Sequence, residues 1–117
     1  MVKPINEFVS YLLDLLTPWG PVAAKRTFGG YGLYRDGRMF AIVVEDTLYL
    51  KTDRESLSEF TERGLEPFSY DRNGKIVSMS YYQPPPESLD RAESLIPWVE
   101  LAYQAALRSP AKRKNLQ

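Results

Sequence analysis

Apolar residues near the start of the chain recur with the spacing of an amphipathic helix. The stripe follows an i, i+3, i+4, i+7 rhythm and consists of Ile5, Phe8, Val9, Leu12, Leu13 and Leu16. Such a stripe usually faces a protein core. Pro4 suits the first turn of this helix, and Pro18, Gly20 and Pro21 predict its end.

Three β-rich runs follow, at residues 25–34, 39–44 and 47–51. They are separated by Asp36-Gly37 and Glu45-Asp46, connections so short that they indicate a three-stranded antiparallel meander. The middle run is apolar at nearly every position, so we expect both of its faces to be covered. A second subunit and a loop over the sheet edge are the two alternatives for the second cover.

The first of these runs contains three glycines, Gly29, Gly30 and Gly32. In a regular strand, Gly30 and Gly32 share one face with Phe28 and Tyr34, and they let a helix or another backbone approach closely. The alternative is a bulge at a glycine with positive φ, which resets the alternation. A phosphate cradle is less well supported, because it needs a following helix N-terminus and a hairpin follows here.

Residues 52–64 predict a second helix. Thr52 and Glu55 fit a capping box, and Gly64 fits the helix stop. The acidic residues of this segment indicate a solvated face rather than a metal site, because nothing in their spacing makes them converge. Two apolar side chains are expected to face the core, Leu57 and Phe60.

A second hairpin is predicted from the Asn73-Gly74 pair, which lies between the β-rich runs 67–71 and 75–82. Asn-Gly between two such runs is the strongest short-range signal for a hairpin. The chain therefore gains two further antiparallel strands.

A last helix follows the three prolines at 84–86, which cannot lie inside a ladder or a helix. It begins near Ser88 or near Ser94, the latter with Pro97 in its first turn. Its apolar stripe consists of Leu95, Val99, Ala102, Tyr103 and Ala106.

The order helix, three strands, helix, two strands, helix predicts an α+β fold. We expect a two-layer sandwich in the order α-β3-α-β2-α, with a five-stranded antiparallel sheet and helices mainly on one face. The domain is expected to span residues 1–109, with a flexible basic tail at 110–117.

Composition narrows the possible chemistry. The chain has 117 residues, 44% of them hydrophobic and 26% charged, which is typical of one globular domain. It contains no Cys and no His, which removes thiol catalysis, disulfides, the usual zinc sites and His-based proton transfer. We therefore predict no catalytic residues, no cofactor and no metal.

No membrane segment or signal peptide is predicted. No apolar run approaches the roughly 20 residues of a membrane helix. The start of the chain carries polar Asn6-Glu7 and lacks a cleavage site of small residues. A cytoplasmic location is therefore expected.

Charge is unevenly distributed along the chain, although the net charge is +0. Four basic residues and no acid lie in the last ten positions, which leaves 11 basic against 15 acidic residues, or −4, in residues 1–107. Direct nucleic-acid binding would use this tail and basic residues of the first hairpin. The acidic body argues against nucleic-acid binding by this chain on its own. The hairpin residues concerned are Lys25, Arg26, Arg35 and Arg38.

Several short motifs resemble the N-terminal domain of the TfoX/Sxy family, named for regulators of natural competence in bacteria. They occur in the family's order as RTFGGYGLY (26–34), MF (39–40), LYLK (48–51), PFSY (67–70), MSYY (79–82) and LIPW (95–98). The resemblance implies the α-β3-α-β2-α order and a role in regulation, and it supplies no catalytic residues. Full-length regulators carry a second domain, so a chain that ends at Gln117 is expected to be a stand-alone first domain.

These observations favour a non-enzymatic regulatory module that binds another protein or a second copy of itself. Tyr31, Tyr49 and Tyr82 are expected to share the sheet face away from the helices, and tyrosines are favoured at interfaces. The alternatives are a monomer with tyrosines at its wet boundary, nucleic-acid binding, and a small-ligand sensor that admits its ligand at Gly30 and Gly32.

Overall fold

A computed structural model describes residues 6–27 and 29–109. The predictions for Pro4, Ile5, Phe28 and the tail at 110–117 lie outside the described residues. The elements, in order, are α1 (Glu7–Leu15), β1 (Ala23–Thr27), β2 (Gly30–Arg35), β3 (Arg38–Val44), β4 (Thr47–Lys51), α2 (Leu57–Thr61), β5 (Pro67–Arg72), β6 (Lys75–Tyr82), a 3-10 helix (Pro86–Asp90) and α3 (Ala92–Arg108).

The strands form a single antiparallel sheet in the order β1-β2-β3-β4-β6-β5. This confirms the α+β class and the antiparallel sheet, but the described residues form six strands rather than the predicted five. The predicted strand 25–34 is two strands, because the chain reverses between Thr27 and Gly30 at Gly29, whose φ is +80°. Thr27 pairs with Gly30 across this reversal, so Gly29 belongs to a turn rather than to a bulge, and its positive φ is one that glycine adopts readily.

Three later reversals are two-residue turns in which both residues have positive φ, the type I′ geometry that matches strand twist. Asp36-Gly37 has φ values of 50° and 77°, and Asn73-Gly74 has 54° and 85°. Both turns lie where the sequence predicts them. The third turn places Glu45 at 50° and Asp46 at 58°, so a glutamate adopts a conformation that it rarely takes.

The core lies between one face of the sheet and the helices. Cross-strand register puts Leu33 beside Ala41, and Ala41 beside Leu50, on this face, and all three are fully buried. The predicted stripe of the last helix is confirmed, since each of its members is buried in α3. Val9, Leu12 and Leu16 complete the core from the first helix and the turn that follows it.

A β-bulge in β3 sends one more large side chain into this core. Leu33 pairs with Ala41 but Tyr34 pairs with Met39, which leaves Phe40 as the extra residue. Phe40 is fully buried. The extra residue interrupts the alternation, so two successive side chains, Phe40 and Ala41, enter the core.

The second helix is shorter than predicted. The predicted box from Thr52 to Glu55 is wrong, because α2 begins at Leu57 and Asp53, rather than Thr52, caps the turn that precedes it. The Asp53 carboxylate accepts the N–H of Ser56 at 3.1 Å, and the Ser56 hydroxyl accepts the N–H of Asp53 at 3.1 Å. These two reciprocal hydrogen bonds satisfy the backbone N–H groups of Asp53 and Ser56, in the turn that Thr52 had been expected to cap.

Residues near the end of α2 follow the sequence more closely. Phe60 is fully buried as predicted, whereas Leu57 is 38% exposed, so its predicted inward direction is wrong. Gly64 has a φ of +69°, and Leu65 donates its N–H to the Phe60 carbonyl at 3.1 Å. These contacts confirm Gly64 as the helix stop.

The last helix begins between the two predicted positions. Its first residue is Ala92, so Pro97 lies in the second turn rather than the first. The 3-10 helix occupies the segment around Ser88, where the hydroxyl donates to the Pro85 carbonyl at 2.6 Å. Trp98 packs edge-on against Phe60, with ring centroids 5.1 Å apart.

Candidate protein-interaction surface

The three candidate tyrosines do not share one face of the sheet. Tyr31 pairs with Val43, and Tyr82 pairs with Leu50, which places both on the face that the helices cover. Tyr49 pairs with Ile42 on the opposite face. The predicted common face is therefore wrong, because the register puts Tyr31 and Tyr82 on the side of Leu33 and Leu50, which face the helices, and Tyr49 on the other side.

Tyr31 and Tyr82 have structural contacts on the covered side. Tyr31 is 9% exposed, and the guanidinium of Arg26 lies 5.5 Å from its ring centroid. Tyr82 is half-buried, and its ring lies 6.0 Å from that of Phe60. Neither presents a flat aromatic surface to a partner, and their predicted role in binding remains untested.

We call the sheet face opposite the helices the open face, defined by Gly32, Ile42 and Tyr49, which lie side by side in the register. Ile42 and Tyr49 are half-buried, and neither belongs to the core cluster or packs against it. Among the described residues, this face therefore carries apolar side chains that the core does not use. Such a surface is typical of interaction sites when its apolar residues are contiguous.

Tyr49 begins a row of three aromatic side chains on the open face, which we call the aromatic row. Its ring meets that of Phe68 edge-on at 5.1 Å, and Phe68 stacks with Tyr70 at 6.0 Å. Tyr70 is 38% exposed. The row is thus continuous, pre-ordered by its own ring contacts, and open at its outer end.

The hydroxyl of Tyr49 stays protonated over the physiological pH range. Burial raises its pKa above the ordinary value of 10.0, and the nearby Glu45 carboxylate raises it further. A neutral phenol both donates and accepts hydrogen bonds. Tyr49 can therefore offer a partner an aromatic surface together with a polar tip.

Two further tyrosines on the open face, Tyr34 and Tyr81, each contact a lysine. The ammonium of Lys25 lies 5.0 Å from the ring centroid of Tyr34, and that of Lys51 lies 5.5 Å from that of Tyr81. Burial raises the pKa of Tyr81, and Tyr34 adds to the effect. The pair is engaged within the domain, so it offers less free surface than the aromatic row.

The glycine run is closed to a ligand by atoms of the chain itself. A side chain at Gly30 would come within 2.2 Å of the Val43 carbonyl oxygen, and one at Gly32 within 2.7 Å of Met39 Sδ and 3.0 Å of the Tyr34 ring. Gly30 allows close backbone pairing, and Gly32 leaves room for the side chains of Met39 and Tyr34. The geometry gives no support to a ligand site at this position.

The basic residues of the first hairpin are dispersed. Consecutive positions in β1 place Lys25 and Arg26 on opposite faces of the sheet. The Arg35 guanidinium lies 4.3 Å from the ring centroid of Trp19, and Arg38 donates to the Ala106 carbonyl at 3.4 Å. They do not form the continuous basic patch that a nucleic-acid backbone requires.

Sequence reasoning missed a groove beside β6, which we call the edge groove. It has a volume of about 300 Å³ and opens between the β4–α2 connection and the edge of β6. The one available signal was the unequal length of the runs 47–51 and 75–82, since the longer strand must extend past the shorter. Among its lining residues are Thr52, Arg54, Leu57, Ser78, Met79 and Ser80.

Across 6–27 and 29–109, no helix has the length and apolar content needed to cross a membrane. In the same part of the chain, no three acidic side chains converge closely enough to hold a metal ion.

Comparison with known proteins adds a family model and three relatives. Residues 14–106 match the TfoX N-terminal domain model. The chain is 37% identical over 78 residues to the DNA transformation protein TfoX of Haemophilus influenzae and 31% identical over 58 residues to TfoX1 of Aliivibrio fischeri. It is 28% identical over 114 residues to protein Sxy of Escherichia coli.

These matches cover different shares of the chain and of the relatives. The aligned stretches cover 65%, 50% and 97% of this chain for TfoX, TfoX1 and Sxy. They cover 35%, 28% and 52% of the respective relatives. The chain therefore spans at most about half the length of the relatives that it matches.

Proposed function

Because the chain belongs to the TfoX N-terminal domain family, we propose that it is a non-enzymatic regulatory module that acts by binding another protein. The names of two relatives, DNA transformation proteins, support a regulatory role in general. The finer assignment to competence or transcription control is part of the proposal. So is a cytoplasmic location, where such a regulator meets its partners.

The observation that carries the proposal is the aromatic row on the open face. Tyr49, Phe68 and Tyr70 are ordered by contact with one another and lie outside the core. Ordered aromatic side chains lose little conformational entropy on binding, and for this reason they dominate many interfaces. A different protein is the proposed partner, and a second copy of the chain is the alternative.

An enzymatic role has weaker support. With no His and no Cys in the sequence, catalysis would need a carboxylate, lysine, tyrosine or serine group whose pKa is shifted within a pocket. Asp53 has a strongly shifted pKa beside the edge groove, and its carboxylate is occupied by Arg108. This contact explains the shift without any catalytic role.

The proposal is tested by removing part of the aromatic row. Tyr49→Ser and, separately, Tyr70→Ser should reduce the capture of cross-linked partner proteins and change transcript levels in the source organism. Leu107→Ser is the matched control, because Leu107 is 42% exposed on α3, away from the sheet. Circular dichroism confirms that each variant is folded.

Two outcomes would contradict the proposal. The first is partner capture and transcript levels at the wild-type level in both tyrosine variants, with the proteins folded and equally abundant. The second is a Leu107→Ser control that loses as much partner capture as the tyrosine variants. Light scattering on the purified chain distinguishes a second copy from a different protein as the partner.

A further inference from the structure

The sheet ladder between β4 and β6 stops early. Only Leu50 with Tyr82 and Lys51 with Tyr81 pair in this ladder, and the last bond runs from the Thr52 N–H to the Ser80 carbonyl at 2.8 Å. The Asp53 turn then leads the chain away into α2. From Lys75 to Met79, β6 therefore has no strand beside it on this edge among the described residues.

The turn at Asn73-Gly74 determines which backbone groups point toward that edge. In a two-residue hairpin the residues that flank the turn, here Arg72 and Lys75, form a hydrogen-bonded pair. Pairs then alternate along the ladder, so the N–H and C=O groups of Ile76 and Ser78 point away from β5. They point in the same direction as the Ser80 carbonyl that receives the last bond from β4.

The side chains around this edge suit an extended peptide. Small hydroxyl groups of Thr52 and Ser78 leave room for a backbone to approach, and apolar side chains flank them. Ile76 is 73% exposed, Met79 40% and Leu57 38%. Strand addition uses this combination, in which main-chain hydrogen bonds give affinity and side-chain pockets give specificity.

Three cationic side chains lie around the edge. Arg54 lines the edge groove, and Arg72 and Lys75 flank the hairpin turn at the other end of the exposed edge. None of the three has an acidic partner within the described ranges. The nearby Asp53 is already paired with Arg108, so an incoming acidic residue would meet cations that are not neutralised.

We propose that an extended segment of a partner protein adds to β6 as a strand, in line with β4, with hydrogen bonds to Ile76 and Ser78. The segment is apolar at alternate positions and acidic where it passes Arg54 and Lys75. A second copy fits less well, because it would bring the same cations together. This inference rests on the proposed protein-binding function but uses a surface separate from Tyr49.

The first test uses two synthetic peptides of alternating valine and threonine, one flanked by glutamates and one by lysines. Calorimetry should show that the glutamate-flanked peptide binds the wild-type chain. Ser78→Pro should weaken the binding of this peptide by about tenfold or more. Proline removes the N–H that points outward without breaking the ladder to β5. Hydrogen exchange at Ile76 and Ser78 should slow on binding.

Ser69→Pro is the matched control. Ser69 pairs with Ser78, and their hydroxyls are 3.0 Å apart, so both variants lose the same side-chain contact. The N–H of Ser69 points to the outer edge of β5, away from the groove. This variant should bind the glutamate-flanked peptide like the wild type.

A charge reversal tests the proposal without proline. The double variant Arg54→Glu, Lys75→Glu should no longer bind the glutamate-flanked peptide and should bind the lysine-flanked peptide instead. No binding of the glutamate-flanked peptide to the wild type, equal binding by Ser78→Pro, or unchanged preference in the double variant would each overturn the proposal. So would a dimer that Ser78→Pro dissociates, because the occupant would then be a second copy.

The two proposals fail in different ways. If Ser78→Pro leaves the peptide bound while Tyr49→Ser abolishes partner capture, strand addition is wrong and protein binding through the open face stands. If neither Tyr49→Ser nor Tyr70→Ser changes partner capture or transcript levels, the proposed protein binding through the aromatic row is wrong. The peptide experiment still decides whether the edge accepts a strand.

Discussion

Arg108 holds Asp53 in a two-point ion pair, with Nε 2.7 Å from Oδ2 and Nη2 2.9 Å from Oδ1. The pair joins the last turn of α3 to the connection between β4 and α2. The same carboxylate accepts the N–H groups of Glu55 and Ser56, each at 3.1 Å. One side chain therefore fixes both the start of α2 and the wall of the edge groove.

Replacing the Asp53 carboxylate should weaken the fold in a pH-dependent way. The hydrogen bond from Arg108 is the main reason why the pKa of Asp53 is lowered to about 2 from 3.8. Asp53→Asn keeps an acceptor for the backbone but loses the charge, so we expect a loss of about 1 kcal/mol at neutral pH.

The lowered pKa of Asp53 determines the direction of the pH dependence. The stabilisation is complete above the ordinary pKa of 3.8 and is lost as pH falls through about 2. Urea midpoints of wild type and Asp53→Asn should therefore converge between those values. Glu62→Gln, at an exposed position of the same segment, is the control, and a gap that stays constant to the lowest pH would contradict the assignment.

Glu45 should be replaceable with a gain in stability. Its φ of 50° places a glutamate in the left-handed region, which asparagine tolerates better in type I′ turns. We expect Glu45→Asn to raise the free energy of unfolding by about 0.5–1 kcal/mol. Glu45→Ala retains the backbone penalty and should show no such gain, and denaturant midpoints compare the two variants.

Gly30 and Gly32 should differ in their tolerance of alanine. A Cβ at Gly30 meets the fixed Val43 carbonyl oxygen at 2.2 Å, whereas one at Gly32 meets the flexible Met39 side chain at 2.7 Å. We expect Gly30→Ala to cost more than about 2 kcal/mol, and Gly32→Ala less. Adding Met39→Ala should rescue Gly32→Ala but not Gly30→Ala. Thermal unfolding of these four variants and of Met39→Ala alone measures the coupling.

Arg35 should stabilise the fold through its ring contacts. Its guanidinium lies 4.3 Å from the Trp19 ring centroid and 5.1 Å from that of Tyr103. Arg35→Met keeps the aliphatic stem but loses both cation–π contacts, so we expect a loss of about 1 kcal/mol. Arg38→Met is the control, since Arg38 makes one long hydrogen bond, and an equal loss in both would contradict the assignment.

Periodicity predicted most of the fold. The stripes of the first and last helices and the two turns with glycine at their second position were readable because each depends on neighbours in sequence. The strand count was wrong because Gly29 resembles a strand glycine until its φ is known. The second helix was predicted from Thr52 but begins at Leu57. The capping residue was wrong by one position, because Thr52 and Asp53 are both good capping residues.

The candidate site was harder to predict than the fold. Tyr31 and Tyr82 were assigned to the wrong face because the face of each strand depends on its register with neighbouring strands, which local alternation does not determine. Tyr49 lies on the face away from the helices, as expected. The edge groove depends on how far β6 extends beyond β4, a tertiary offset that only the unequal strand lengths suggested.

The short ladder between β4 and β6 has a consequence for how the chain folds. Strands β1 to β4 pair with their sequence neighbours, and so do β5 and β6, whereas Leu50 with Tyr82 and Lys51 with Tyr81 join distant parts of the chain. Local pairings form quickly, and distant ones must first close a loop. Docking of the second hairpin onto the meander is therefore expected to set the folding rate, and the offset that exposes the edge of β6 leaves few contacts to drive that step.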